Sequence, residues 1–141
     1  MISSAVVAGE LARCLFSASE QQHRLEKENS VRQCFNQYKT YINKETCYLF
    51  LEKKVSKLSS TKLSEDINSI CFYETTPPKN LGSCLVETKK FKNSGNHDEA
   101  VFFCYQQYQN KISRKECLNA AEQIIYPLKK EYLREHCFSY N

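Results

Sequence analysis

The residues of this chain best able to do chemistry are its eight cysteines, at positions 14, 34, 47, 71, 84, 104, 117 and 137. An even number of thiols at repeated spacing points to a disulfide framework, and zinc ligation is the competing chemistry. No CxxC pair occurs, and the nearest cysteines are 13 positions apart, so the short ligand spacing of common zinc modules is missing. His23, His97 and His136 stand alone and read as surface or cap residues rather than metal ligands. There is no redox pair with a lowered-pKa thiol, no glycine-rich phosphate loop and no triad logic. The expectation is a chain that is not an enzyme, holds no cofactor and no metal, and has all eight cysteines in disulfides.

The cysteine spacing is written twice. Cys14 precedes Cys84, Cys34 precedes Cys104 and Cys47 precedes Cys117 by the same 70 positions, whereas Cys71 and Cys137 are 66 apart. The first copy is therefore four residues longer in its last segment, about one helical turn. Matching identities outside the cysteines are few: Leu15/Leu85, Val31/Val101, Gln37/Gln107, Tyr38/Tyr108 and Ile42/Ile112. The spacing carries the reading of an internal duplication, with one unit over residues 1–76 and a second over 77–141. Units of this size are marginal with a hydrophobic core alone, and disulfides would supply the missing stability.

The elements that must position the thiols read as helices. Three glycines, three prolines and 26% charged residues suit them, and strand-like alternation is scarce. Ser30 with Gln33 has capping-box spacing ahead of a helix from Val31 to about Ile42, and Asp98 or Asn96 opens its counterpart. Asn43 and Ser113 are good N-caps for the next helices, and Ser113 has Glu116 three residues on. Leu118, Ala121, Ile124 and Ile125 recur at helical spacing and read as core. Pro127 fits the first turn of a new helix, and TTPPKN at 75–80 is the clearest linker.

At about 100° per residue, a spacing of 20 would put Cys14 and Cys34 on opposite faces of a straight helix. Breaks at Asn29-Ser30, residues 94–97, Ser59-Ser60 and Pro127 therefore predict bent or segmented arms. The predicted fold is all-α: two tandem disulfide-stapled antiparallel helical hairpins. With Cys34 facing Cys47 across a turn, nested pairing follows: Cys34 with Cys47, Cys14 with Cys71, Cys104 with Cys117 and Cys84 with Cys137. Eight cysteines allow about 105 connectivities, and the nested set is one of them.

Disulfides require an oxidising compartment, yet MISSAVVAGELAR lacks the basic start and long apolar run of a signal peptide. None of the ten asparagines lies in an N-x-S/T acceptor. No apolar run reaches the length of a membrane span. A net charge of +4 spread among 16 acidic groups does not suit a nucleic-acid partner.

Two-hairpin, cysteine-stapled helices of this kind resemble the CHCH (coiled-coil-helix-coiled-coil-helix) family of the mitochondrial intermembrane space. Members enter through an oxidative relay without a cleaved presequence, recognised through cysteines flanked by apolar residues. Here every cysteine is followed by Leu, Phe or Tyr. The family's C-x9-C arms are replaced by C-x19-C, C-x23-C, C-x19-C and C-x19-C. Ser3, Ser4, Ala5 and Val6 also resemble a segment ahead of the first cysteine in the family's double-hairpin accessory subunit of NADH:ubiquinone oxidoreductase (respiratory complex I). The resemblance implies a non-catalytic accessory subunit, peripheral to the inner membrane on its intermembrane-space side, with other respiratory-complex subunits as partners. Lys53, Lys54 and Lys57 would add peripheral contact with anionic lipid. Three alternatives stand beside it: a subunit of another respiratory complex, an intermembrane-space assembly factor, and a secreted helical disulfide-rich protein.

Overall fold

The computed structural model describes residues 4–57 and 60–139; Ser3 of the SSAV segment and Ser59 of an expected break lie outside them. The described residues are helical, with no strand among them, and they form two compact units, Met1–Pro77 and Pro78–Asn141. The first holds α1 (Ser4–Ser19), α2 (Arg24–Tyr38), α3 (Lys44–Phe50) continued by a π-helical segment (Leu51–Val55), and α4 (Thr61–Tyr73). The second holds α5 (Leu81–Thr88), α6 (Ser94–Tyr108), α7 (Arg114–Glu122) and α8 (Pro127–Cys137). The all-α, disulfide-stapled hairpin architecture is as expected.

Local chemistry sets the helix starts. The side chains of Asn43, Ser60, Asn80, Asn93 and Ser113 each accept a backbone N–H from three residues on, satisfying a donor that the first turn leaves open. Ser113 and Glu116 complete a reciprocal capping box. Pro127 occupies the first turn of α8. Two expected starts moved. Ser30 lies inside α2, whose N-cap position is His23, and α6 begins at Ser94 behind Asn93, leaving Asn96 and Asp98 within the helix.

The nested pairing is overturned. Cys14 is joined to Cys34, Cys47 to Cys71, Cys84 to Cys104 and Cys117 to Cys137, so every bridge links consecutive cysteines. The physical reason is that the breaks within the arms are full reversals. The chain turns back between α1 and α2, and again between α3 and α4, so the partner one bridge away is the next helix. The turn between Tyr38 and Lys44 exists, but α2 packs on α1 and α4 rather than along α3. Each unit thus contains two stapled hairpins.

In the first unit Val7, Leu11, Leu15 and Ala18 form one buried stripe of α1, facing Val31 and Phe35 of α2 and Leu63, Ile67 and Ile70 of α4. The second unit buries Leu81, Val101, Tyr105, Ala120, Ala121, Ile124 and Leu133. Ile125, expected in the core, is exposed, because α7 ends at Glu122 and the helical periodicity ends with it; Leu118, within α7, is half-buried.

The register shows where the extra residues sit. Ser60 precedes Cys71 by 11 residues and Tyr126 precedes Cys137 by 11, so the fourth helices match from their N-cap positions onward. The additional four residues lie between Cys47 and Ser60, where the chain forms the π-helical segment. Insertion into an existing helix is a recurrent origin of π geometry.

Proteolysis of the oxidised chain followed by mass spectrometry is expected to recover the four consecutive pairs; a peptide joining Cys34 to Cys47 would overturn the arrangement. A second expectation concerns Asn68, which is buried with neither amide atom hydrogen-bonded. Its near-isosteric replacement Asn68→Leu should raise stability by about 1–3 kcal/mol, read as a higher Tm; a lower Tm would contradict this.

Candidate functional site

All eight sequence-predicted site residues are in disulfides, and no cysteine is free. Seven are buried and Cys14 is half-buried, beside an open groove of about 410 Å³ with Glu10, Arg13, Ser17 and Tyr38. Bridges held this deep act as internal staples. Among the described residues no three His, Cys, Asp or Glu side chains gather as a metal site would require. His97 is buried, contrary to its reading as a surface residue, with Nδ1 3.1 Å from Asp98 Oδ1. His23 is exposed and places no side-chain bond on α2, and the exposed His136 ring lies 4.8 Å from that of Tyr132.

The charged groups that the fold does bury are organised around one element of each unit, the fourth helix. In the second unit the Asp98 carboxylate accepts the backbone N–H of Ile125 at 2.8 Å and of Tyr126 at 3.0 Å, at the entrance to α8. In the first unit Glu28, 70 positions earlier, accepts the Ser60 hydroxyl at 2.6 Å, and Ser60 in turn caps α4. The other end is treated alike. Lys44 Nζ donates to the Phe72 carbonyl at 2.9 Å, and its counterpart Arg114, although exposed, donates to the Phe138 carbonyl at 3.3 Å. A carboxylate at the N-terminus and a cation at the C-terminus both complement the helix dipole and fill groups that the end turns leave unpaired.

The carboxyl groups respond to this setting. Hydrogen bonding from the Ser60 side chain holds Glu28 below the ordinary range, against the opposing effect of desolvation. For Asp98, burial pushes the pKa up, but the two backbone donors and His97 outweigh it, so the net shift is also downward. Perturbed carboxyls often mark catalysis. Here each is engaged with a helix entrance.

Sequence reasoning missed all four ties. The signal was present as matched chemistry at fixed register, acid at 28 and 98 and base at 44 and 114, but identity counting passes over such pairs. Tyr38 and Tyr108, identical between the copies, are half-buried; the Tyr108 hydroxyl donates to the Pro78 carbonyl and thereby secures the start of the second unit.

Two surface regions differ between the copies. Arg32 of α2 and Asp66 of α4 form an ion pair at 2.9 Å, while the corresponding residues of the second unit are Phe102 and Tyr132, whose rings lie 6.1 Å apart. Beside them, Lys62 corresponds to Leu128, which is 87% exposed. In the first unit, a groove of about 210 Å³ runs between α1 and the π-helical segment, lined by Ala12, Leu15, Phe16, Ser19, Lys53, Lys54 and Lys57. Comparison with protein-family models, curated proteins and solved structures returned no match.

Asp98→Asn leaves one amide oxygen for two N–H donors and should lower stability by about 1–3 kcal/mol in thermal or denaturant unfolding. Depressed folded-state pKa values make the contribution of Glu28 and Asp98 complete above the unfolded carboxyl value of about 4, and remove it as pH falls through the depressed values. Asp98→Asn should accordingly flatten the acid limb of a Tm-against-pH curve; an unchanged limb would show that Asp98 does not contribute to it.

Proposed function

We propose that this chain is a non-catalytic, disulfide-braced helical scaffold that docks onto another protein through the α6/α8 face of its second unit. One observation carries the reading: the duplicated position that holds a part-buried ion pair in the first unit holds an aromatic pair in the second, flanked by the exposed Leu128. Leu128, Tyr132 and His136 follow one another at four-residue intervals along one side of α8, and Tyr132 is 59% exposed. An apolar and aromatic face on a scaffold that is otherwise charged at this place suits the core of a protein interface. The occupant is a protein subunit offering a complementary apolar surface.

The specific form of this function is an accessory subunit on the intermembrane-space side of an inner-membrane respiratory complex, with complex I first. Support comes from the disulfide-stapled helical hairpins and from the apolar residue after every cysteine. A second reading, an independent secreted helical repeat, is favoured by the order of the bridges, since each hairpin closes on itself instead of sharing two nested staples.

Native-gel separation of gently solubilised mitochondrial membranes, with mass spectrometry along the lane, tests the proposal. The chain is expected in the band with NADH dehydrogenase activity, and Leu128→Asp combined with Tyr132→Asp should remove it while the four bridges remain intact. Recovery in another respiratory band would reassign the partner. Recovery of the native chain outside mitochondria would sink the respiratory reading and leave the secreted one.

A further inference from the structure

The two copies also diverge in the four residues that only the first possesses. Together with the surrounding turn they carry Lys53 and Lys54 on the π-helical segment and Lys57 just beyond it. All three are exposed, and they line the 210 Å³ groove opposite Phe16, which is 66% exposed, with Leu15 and Ala12 beneath. No carboxylate is among the described residues that line it. The second unit has no equivalent, since it lacks the insertion, and Val86 stands at the register of Phe16.

We propose that this groove seats the headgroup of an anionic phospholipid at a membrane surface. Charge complementarity selects the occupant's sign: three exposed lysines line the groove and no carboxylate is among the described residues lining it. The lysine stems would cover apolar surface while their heads reach phosphate oxygens, and the exposed Phe16 ring opposite them would enter the acyl boundary. A soluble polyanion would use the lysines and gain nothing from Phe16. No helix of the described residues is long and apolar enough to cross a membrane, so the contact is a peripheral one. The volume suits a headgroup rather than an entire lipid. This inference does not rest on the α6/α8 face, and either can fail without the other.

Flotation of the full oxidised chain with vesicles of phosphatidylcholine alone, and of phosphatidylcholine with an equal share of phosphatidylglycerol, provides the test. Binding is expected only to the anionic vesicles and should weaken as salt is raised. Reversing charge with K53E, K54E and K57E together should lower the partition constant by roughly a hundredfold. Phe16→Ser, which leaves every charge in place, should lower it by roughly tenfold. The same charge change at exposed lysines of the second unit, K79E, K111E and K115E, should leave most of the binding. The proposal is overturned if the unaltered chain does not float with anionic vesicles, if the second-unit variant loses as much as the groove variant, or if Phe16→Ser binds as well as the parent. Equal competition by soluble glycerol phosphate at matched charge would also overturn it, by showing a free-phosphate site.

Discussion

Everything in this molecule depends on the covalent closure of short antiparallel helical hairpins. Helices of 7 to 16 residues are marginal in water, and two units of about 70 residues bury too little apolar surface to hold several of them by packing alone. Each bridge spans 20 or 24 residues and removes chain entropy from the unfolded state, worth about 3 kcal/mol in the loop-entropy picture. With the hairpins closed, a modest core such as Leu11, Val31, Phe35 and Ile67 suffices to pack one against the other. At both ends of the fourth helix, the Glu28/Asp98 and Lys44/Arg114 ties supply charge of the right sign.

The cysteine register carried the duplication and the need for breaks in every arm, and composition with capping residues carried the helical class. The rotation of a helix over 20 residues excluded a straight Cys14-to-Cys34 element, and the caps at Asn43 and Ser113 were visible as residue types. What the rotation cannot distinguish is a bend from a reversal. Both interrupt the helix, but only a reversal places Cys14 beside Cys34, and that choice is made by the stripes of α1 and α2 packing on each other. Ser30 failed as a start signal because α2 begins about two turns earlier, at Arg24, which brings Glu28 onto the Ser60 hydroxyl by tertiary contact. The polar ties were hidden because they join residues about 30 apart through tertiary contact.

Duplication has left one scaffold with two different surfaces. Bridges, helix ends and buried positions such as Val31/Val101 and Ile67/Leu133 are maintained, because altering them would disturb packing that both copies share. Exposed positions are free of that constraint. In one copy an ion pair occupies the crossing of the second and fourth helices, in the other an aromatic pair; one copy has a lysine-bearing π turn, the other a plain helix end.

The order of the bridges bears on biosynthesis. Because each cysteine is joined to its immediate neighbour in the chain, a hairpin is complete as soon as its second thiol enters an oxidising space, before the next pair has arrived. Vectorial delivery from the N-terminus then yields the native set by simple sequential oxidation, with no early bridge that must wait for, or be exchanged with, a distant thiol. A nested set would keep Cys14 open until Cys71 appeared. With consecutive pairing, no bridge depends on a cysteine beyond its own hairpin.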